Sequence, residues 1–163
     1  MLRTVRDDDL DEILVHNNAA VPAVNHLERS DLEWFAAVAH TFVVAVADDG
    51  IAGFLIGLGP GAGYDSHNYA WFSARYDDFV YVDRIVVAEA GRGGGVGSLL
   101  YDEFARRGRA DQTPVMLAEV NIRPRNDASL AFHDAHGFVS VGEQDSPDGV
   151  KRVTMLERRL DAD

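Results

Sequence analysis

One continuous domain of the α/β (α+β) class is predicted by three observations. Runs of β-branched and aromatic residues alternate with segments of helical period along the whole chain. Two β-rich runs joined by Asp48-Asp49-Gly50 read as an antiparallel hairpin. The 163 residues contain no repeat, low-complexity tract or linker, and they suffice for one core where two full domains would be cramped. The expectation is therefore a single domain over residues 1–163.

Residues 2–5 form a short first strand. Asp7, Asp8 and Asp9 supply an N-cap and first-turn negative charge for a helix with Leu10, Ile13 and Leu14 on one face, interrupted by Pro22. Ser30, with Glu33 three positions on, reads as a capping box that opens a second helix through Leu32, Trp34, Phe35 and Val38. The hairpin strands are 41–47 and 51–58. Residues 59–78 fit neither period, yet they carry Tyr64, Tyr69, Trp71, Phe72 and Tyr76, and so many aromatic side chains argue for an ordered insertion. A strand at 79–87 follows, then a helix at 96–107 with Val96, Leu99, Leu100 and Phe104 on one face, and a strand at 115–120. A last helix from about 127 to 136 ends at Gly137, where left-handed backbone is favoured. Strands at 138–143 and 152–160 complete the chain.

Composition narrows the function. A net charge of −12 has the wrong sign for binding nucleic acid or an anionic membrane through a general field. With no cysteine, thiolate zinc sites, disulfides and cysteine nucleophiles are excluded. His133 and His136 are spaced as a ligand pair, but no third ligand is indicated, so no metal is expected. The early acidic run matches neither a signal peptide nor a transit peptide, and no apolar run approaches the ~20 residues of a membrane span. A soluble, cytoplasmic protein is the expectation.

The most informative segment is residues 85–98, where a buried strand feeds a glycine-rich turn that opens into a helix. The first turn of a helix has amide donors without intrahelical partners and a partial positive charge, and glycines let phosphate oxygens approach that backbone. No acidic residue occurs between Glu89 and Asp102. Glycines also allow tight strand-to-helix packing, which is the bland reading. The turn has no lysine for a Walker A loop, and its glycines miss the first, third and sixth positions of a dinucleotide fingerprint. A second segment, Asn126-Asp127-Ala128-Ser129-Leu130-Ala131-Phe132-His133, leads to Gly137-Phe138.

Arg92-Gly93-Gly94-Gly95-Val96-Gly97 resembles the Arg/Gln-x-x-Gly-x-Gly/Ala signature of the GNAT superfamily of N-acyltransferases, and the second segment resembles that family's later Asn-containing block. The resemblance covers essentially the whole chain. It implies a mixed, mostly antiparallel sheet of six to seven strands flanked by about four helices and splayed between the fourth and fifth strands. It further implies acetyl-CoA as the acyl donor. Arg92, Gly93, Gly94, Gly95, Val96, Gly97 and Ser98 would hold its pyrophosphate; the backbone of Ile85, Val86 and Val87 would pair with the pantetheine arm in the manner of an added strand. Asn126, Ser129 and Phe132 would assist from the last helix, although Asn126 also reads as that helix's N-cap. Arg123 and Arg125 are candidates for the adenosine 3′-phosphate, or are simply solvated.

An alkylammonium of pKa ~10 must lose a proton before it attacks a thioester, so a carboxylate base is sought. Glu119, an acid in an apolar strand at a position where many relatives carry a glutamate, is the first candidate. Asp83 is the second, expected on the face of Tyr81 and Ile85 and opposite to Arg84; for each acid the alternative is an exposed or salt-bridged strand residue. His133 stands where many relatives have a tyrosine that serves the leaving thiolate; it either does the same or packs against the cofactor. Tyr64, Tyr69, Trp71 and Tyr81 are candidates for the substrate pocket, with ordinary packing as their alternative role. The expected acceptor is a small-molecule or peptide amine, and the protein a monomer or homodimer. Two other functions compete: a non-catalytic acyl-CoA-binding or sensing module on the same fold, and a nucleotide-phosphate binder.

Overall fold

The computed structural model describes residues 1–161, and the last two residues of the expected 1–163 domain lie outside the described residues. In chain order the elements are β1 (Leu2–Thr4), α1 (Leu10–Ala19), α2 (Arg29–Val38), β2 (Thr41–Ala47), β3 (Gly50–Leu58), α3 (His67–Ser73), β4 (Val80–Val87), α4 (Val96–Ala110), β5 (Val115–Arg123), α5 (Asp127–Ala135), β6 (Val139–Asp145) and β7 (Arg152–Arg159). The strands follow the order β1-β2-β3-β4-β5-β7-β6 in one mixed sheet. All the described pairings are antiparallel except that of β4 with β5, which is parallel.

The chain divides into two compact units, and β4 contributes to both. The first comprises Met1–Leu58 and Val82–Arg107. Its hairpin turns at Asp48-Asp49 into Gly50, whose φ of +125° suits glycine. Two further glycines of β3 make room for α4 and β4. The Phe104 ring occupies the space a Cβ on Gly57 would need, and a Cβ on Gly53 would stand 2.9 Å from both the Val86 carbonyl oxygen and Val96 Cγ1. Of the early acidic run, Asp9 is buried, accepting two bonds from the Arg3 guanidinium (2.7 and 2.8 Å) and one from the Arg6 amide (2.7 Å). Asp7–Asp9 form a 3-10 turn ahead of α1 rather than its first α-helical turn. The cap of α2 also differs from expectation. Glu28, not Ser30, precedes the helix, and it exchanges backbone-to-side-chain bonds with Asp31 in a box built from two acids.

The second unit comprises Gly59–Tyr81 and Gly108–Asp163. The insertion, which fits no period in the sequence, contains α3, and the helices number five among the described residues. Seven residues are too few to display a helical stripe; Ser66 nevertheless caps the helix by accepting from the Tyr69 amide at 3.3 Å. Tyr69, Phe72, Phe79 and Tyr81 are buried, and their ring centroids lie 5.6–6.0 Å apart in edge and tilted contacts. β5 pairs with β7 from Val115↔Arg159 to Arg123↔Arg152, whereas its register with β4 covers Val80↔Met116 and Tyr81↔Leu117.

Candidate active site

The glycine turn of the first unit contains glycines of two kinds. Ala88 N–H donates to the Ala52 carbonyl at 2.8 Å, and a Cβ on Gly91 would stand 2.9 Å from that same oxygen, so Gly91 is there for packing. Gly93 and Gly95 have φ of +78° and +77°, and a Cβ at either would meet no atom within 4 Å. These two are required by backbone conformation, and the space beside them is open. The Leu99 amide donates to the Gly95 carbonyl at 3.0 Å as the first helical bond of α4. The amides of Val96, Gly97 and Ser98 come before it, with no acidic side chain in that turn. Arg92 and Gly94 are exposed; of the strand that leads in, Val86 is buried and Ile85 and Val87 are half-buried.

Asp83 belongs to a buried polar knot in the same unit. Despite strand alternation, the long Arg84 side chain reaches back to its neighbour, with Nε donating to Asp83 Oδ2 at 2.8 Å. The two side chains are 4% and 3% exposed. The other guanidinium nitrogens donate to Asn17 Oδ1 (2.9 Å) and Asn25 Oδ1 (2.7 Å). Asp83 is thus the ion-pair partner of Arg84.

Glu119 belongs to the second unit. Because β5 continues to Arg123, it stands within the strand rather than near its end. Its Oε1 accepts from the Tyr81 hydroxyl at 2.8 Å and from Asn68 Nδ2 at 3.2 Å. Asn68 Oδ1 in turn accepts from Gln144 Nε2 at 3.1 Å, and the same nitrogen donates to the His67 carbonyl at 3.3 Å. Asn68 and Gln144 escape sequence reasoning, because neither has a spacing that ties it to an acid; contact arises only when α3 and β6 are folded.

On α5, Asn126 is the N-cap, its Oδ1 accepting from the Ser129 amide at 3.1 Å. His133 is buried, and its Nδ1 lies 2.7 Å from the Ser129 carbonyl, which can only accept, so Nδ1 carries the hydrogen. Burial pushes its pKa below the usual imidazole range, partly offset by that bond. Phe132 is half-buried with its ring against those of His133 and His136. Arg123 donates to Asp145 Oδ1 (3.0 Å) and the Gly149 carbonyl (2.9 Å), and Arg125 pairs with Asp127.

The aromatic candidates are partly engaged in packing. The Tyr69 hydroxyl donates to the Gly59 carbonyl at 2.5 Å and accepts from the Ala62 amide at 3.1 Å, and the half-buried Tyr64 packs edge-on against Tyr69. Trp71 lies beneath the Arg75 guanidinium, 3.7 Å from its ring centre, and fills the place of a Cβ at Gly142. Burial, reinforced by a bond to Glu157, pushes Tyr76 up to about 12. Among the described residues no helix is long and apolar enough to cross a membrane, and no three His, Cys, Asp or Glu side chains are placed to hold a metal ion.

No curated protein matches the sequence. Similar solved structures include Ard1 from Thermoplasma volcanium (18% identity, covering 98% of this chain and 96% of that one, TM-score 0.78). Ribosomal-protein-alanine N-acetyltransferase from Brucella melitensis is similar at 18% identity, with 98% and 99% covered and a TM-score of 0.74. Naa20 from Chaetomium thermophilum, solved with a bisubstrate analogue, is similar at 20% identity, with 99% and 87% covered and a TM-score of 0.75. These likenesses establish the fold. The sequence itself matches the family model described as "Acetyltransferase (GNAT) family" over residues 8–138, and the chain belongs to that family.

Proposed function

We propose that the protein transfers an acetyl group from acetyl-CoA to an amine in a ternary complex, with Glu119 accepting the proton the amine must lose. The turn at residues 91–98 carries this reading. In a chain of an acetyltransferase family, its backbone requires glycine at 93 and 95, is open beside both, and leads into the acid-free first turn of a long helix. Those features fit a diphosphate. Arg92, Gly93, Gly94, Gly95, Val96, Gly97 and Ser98 would hold it, and Ile85, Val86 and Val87 would pair with the pantetheine arm. Asn126, Ser129 and Phe132 are the assisting residues of α5. When bound, acetyl-CoA supplies the activated acyl group.

The remaining tasks fall to the side chains. Glu119 takes the ammonium proton, and Tyr81 and Asn68 hold its carboxylate in one orientation. His133, neutral near pH 7 with Nδ1–H committed to Ser129, serves by packing rather than as an acid. The net charge of −12 favours a cationic acceptor, a small-molecule amine or a peptide, over an acidic one.

Release of free thiol from acetyl-CoA with a panel of polyamines, amino acids and short peptides tests the proposal. Glu119→Gln should lower kcat by roughly 100-fold or more, with coenzyme affinity in calorimetry unchanged. Tight binding with no turnover on any amine would replace the enzyme by a sensing module.

A further inference from the structure

We propose that Asn68 is a positioning residue for Glu119 and that Gln144 sets which way round Asn68 stands, so that two carboxamides relay the orientation of β6 through α3 to the carboxylate. The inference rests on Glu119 as the proton acceptor. The two ends of a carboxamide are alike in shape, and only their neighbours decide between them. The His67 carbonyl can only accept, so Gln144 must present Nε2 to it (3.3 Å). The same nitrogen reaches Asn68 Oδ1 at 3.1 Å, which turns Nδ2 of Asn68 toward Glu119 Oε1 at 3.2 Å. Read from the opposite end the answer is the same, because a carboxylate calls for a donor. Two independent anchors therefore select one orientation.

The helix that carries Asn68 is itself seated on β6. Trp71 Cζ2 lies 2.6 Å from where a Cβ on Gly142 would be, a closeness that glycine alone permits. Gly142 and Gln144 thus dock α3 by shape and by hydrogen bonding. Among the titratable groups of the surrounding elements, Tyr81 touches the carboxylate at 2.8 Å, Tyr76 and Glu157 bond each other at 2.9 Å, and Glu143 faces Arg152 at 3.5 Å.

The test is a carboxyl ¹³C titration of glutamate-labelled protein, with the Glu119 signal assigned by its loss in Glu119→Gln. The pH profile of kcat/KM is measured beside it with the most active amine of the panel. Removing a donor from an ionised carboxylate favours the protonated form, so Asn68→Ala should raise both the midpoint and the acid limb by roughly one pH unit. Affinity for CoA should not change. Gln144→Glu cannot donate to the His67 carbonyl and attracts the N–H end of Asn68, so it should move the midpoint the same way without touching Glu119. Combined with Asn68→Ala, it should add only a minor part of its single effect, because it acts through Asn68. Should Asn68→Ala fail to fold, Asn68→Asp keeps the size, replaces the donor by an acceptor and should shift the midpoint further upward. Unmoved midpoints in folded variants overturn the relay while leaving Glu119 in its role, and full additivity overturns the part of Gln144. Undiminished turnover in Glu119→Gln overturns the functional assignment instead.

Discussion

Asp83 and Glu119, two acids from successive strands of the sheet, are held by opposite kinds of partner. Asp83 meets a guanidinium whose remaining nitrogens are taken by asparagine oxygens, in a knot with side chains only 3–4% exposed. A proton added there would leave a buried cation without its counter-charge. At Glu119, the Tyr81 phenol and the Asn68 carboxamide that donate to Oε1 are both neutral groups. Strand position and apolar surroundings make both acids candidates for the base; the guanidinium beside Asp83 marks it as an acid that balances a buried charge.

The largest expected effect tests that contrast. Arg84→Met leaves Asp83 and Asn17 with buried oxygens that have lost their donor, and should cost about 3–5 kcal/mol in urea unfolding. Glu119→Gln keeps an acceptor for both Tyr81 and Asn68, and should change stability by less than about 1 kcal/mol while lowering kcat by roughly 100-fold or more. Similar stability losses in the two variants would erase the distinction.

A second contrast lies within the glycine turn. Gly95→Ala forces a side chain onto a φ of +77° and should cost about 1–2 kcal/mol together with coenzyme affinity. Gly94 lacks the left-handed φ, and its Cβ would stand 3.3 Å from the Gly91 carbonyl, so Gly94→Ala should cost less than about 1 kcal/mol. Denaturant midpoints and CoA calorimetry on the pair decide whether conformation or packing governs the turn.

His133 provides a pH-dependent comparison. Its folded-state pKa lies below the unfolded value, chiefly through burial, so the unfolded chain binds the extra proton as pH falls through about 6.5. Stability should therefore fall with decreasing pH there, with a slope of at most about 1.4 kcal/mol per pH unit from this residue. His133→Phe should flatten that slope. An unaltered pH dependence would show that the imidazole is not kept neutral by the fold.

Legibility in the sequence followed the range of the interactions. The hairpin, α4 and α5 declare themselves through turn residues, one apolar face and terminal glycines, all local signals; the structure has each of them, though α4 runs on to Ala110 and Leu99, read on its apolar face, is exposed. The seven-residue α3 does not, because its burial depends on Trp71 finding Gly142 and Tyr69 finding Phe79, contacts without a local signature. The cap of α2 is not legible, because two carboxylates, Glu28 and Asp31, stand where a capping hydroxyl is the common signal. At the site, the turn was legible since φ above zero demands glycine, and Glu119 since an acid in an apolar strand is conspicuous. Asn68, Gln144 and the bond from Tyr81 to Glu119 were not, because an amide or a phenol among other residues gives no hint of which carboxylate it will meet.

The smallest effect separates two roles of one residue. Asn126 caps α5 through Oδ1, and an aspartate can accept from the Ser129 amide equally well while adding favourable charge at a helix N-terminus. Asn126→Asp should therefore hold stability within about 0.5 kcal/mol, whereas Asn126→Ala should lose about 1 kcal/mol. The aspartate variant also loses the Nδ2 donor and places a negative charge where a polyanionic coenzyme is expected, so its affinity for CoA should fall while its melting temperature holds. If affinity and stability instead move together across both variants, Asn126 acts on the coenzyme only through the helix it caps.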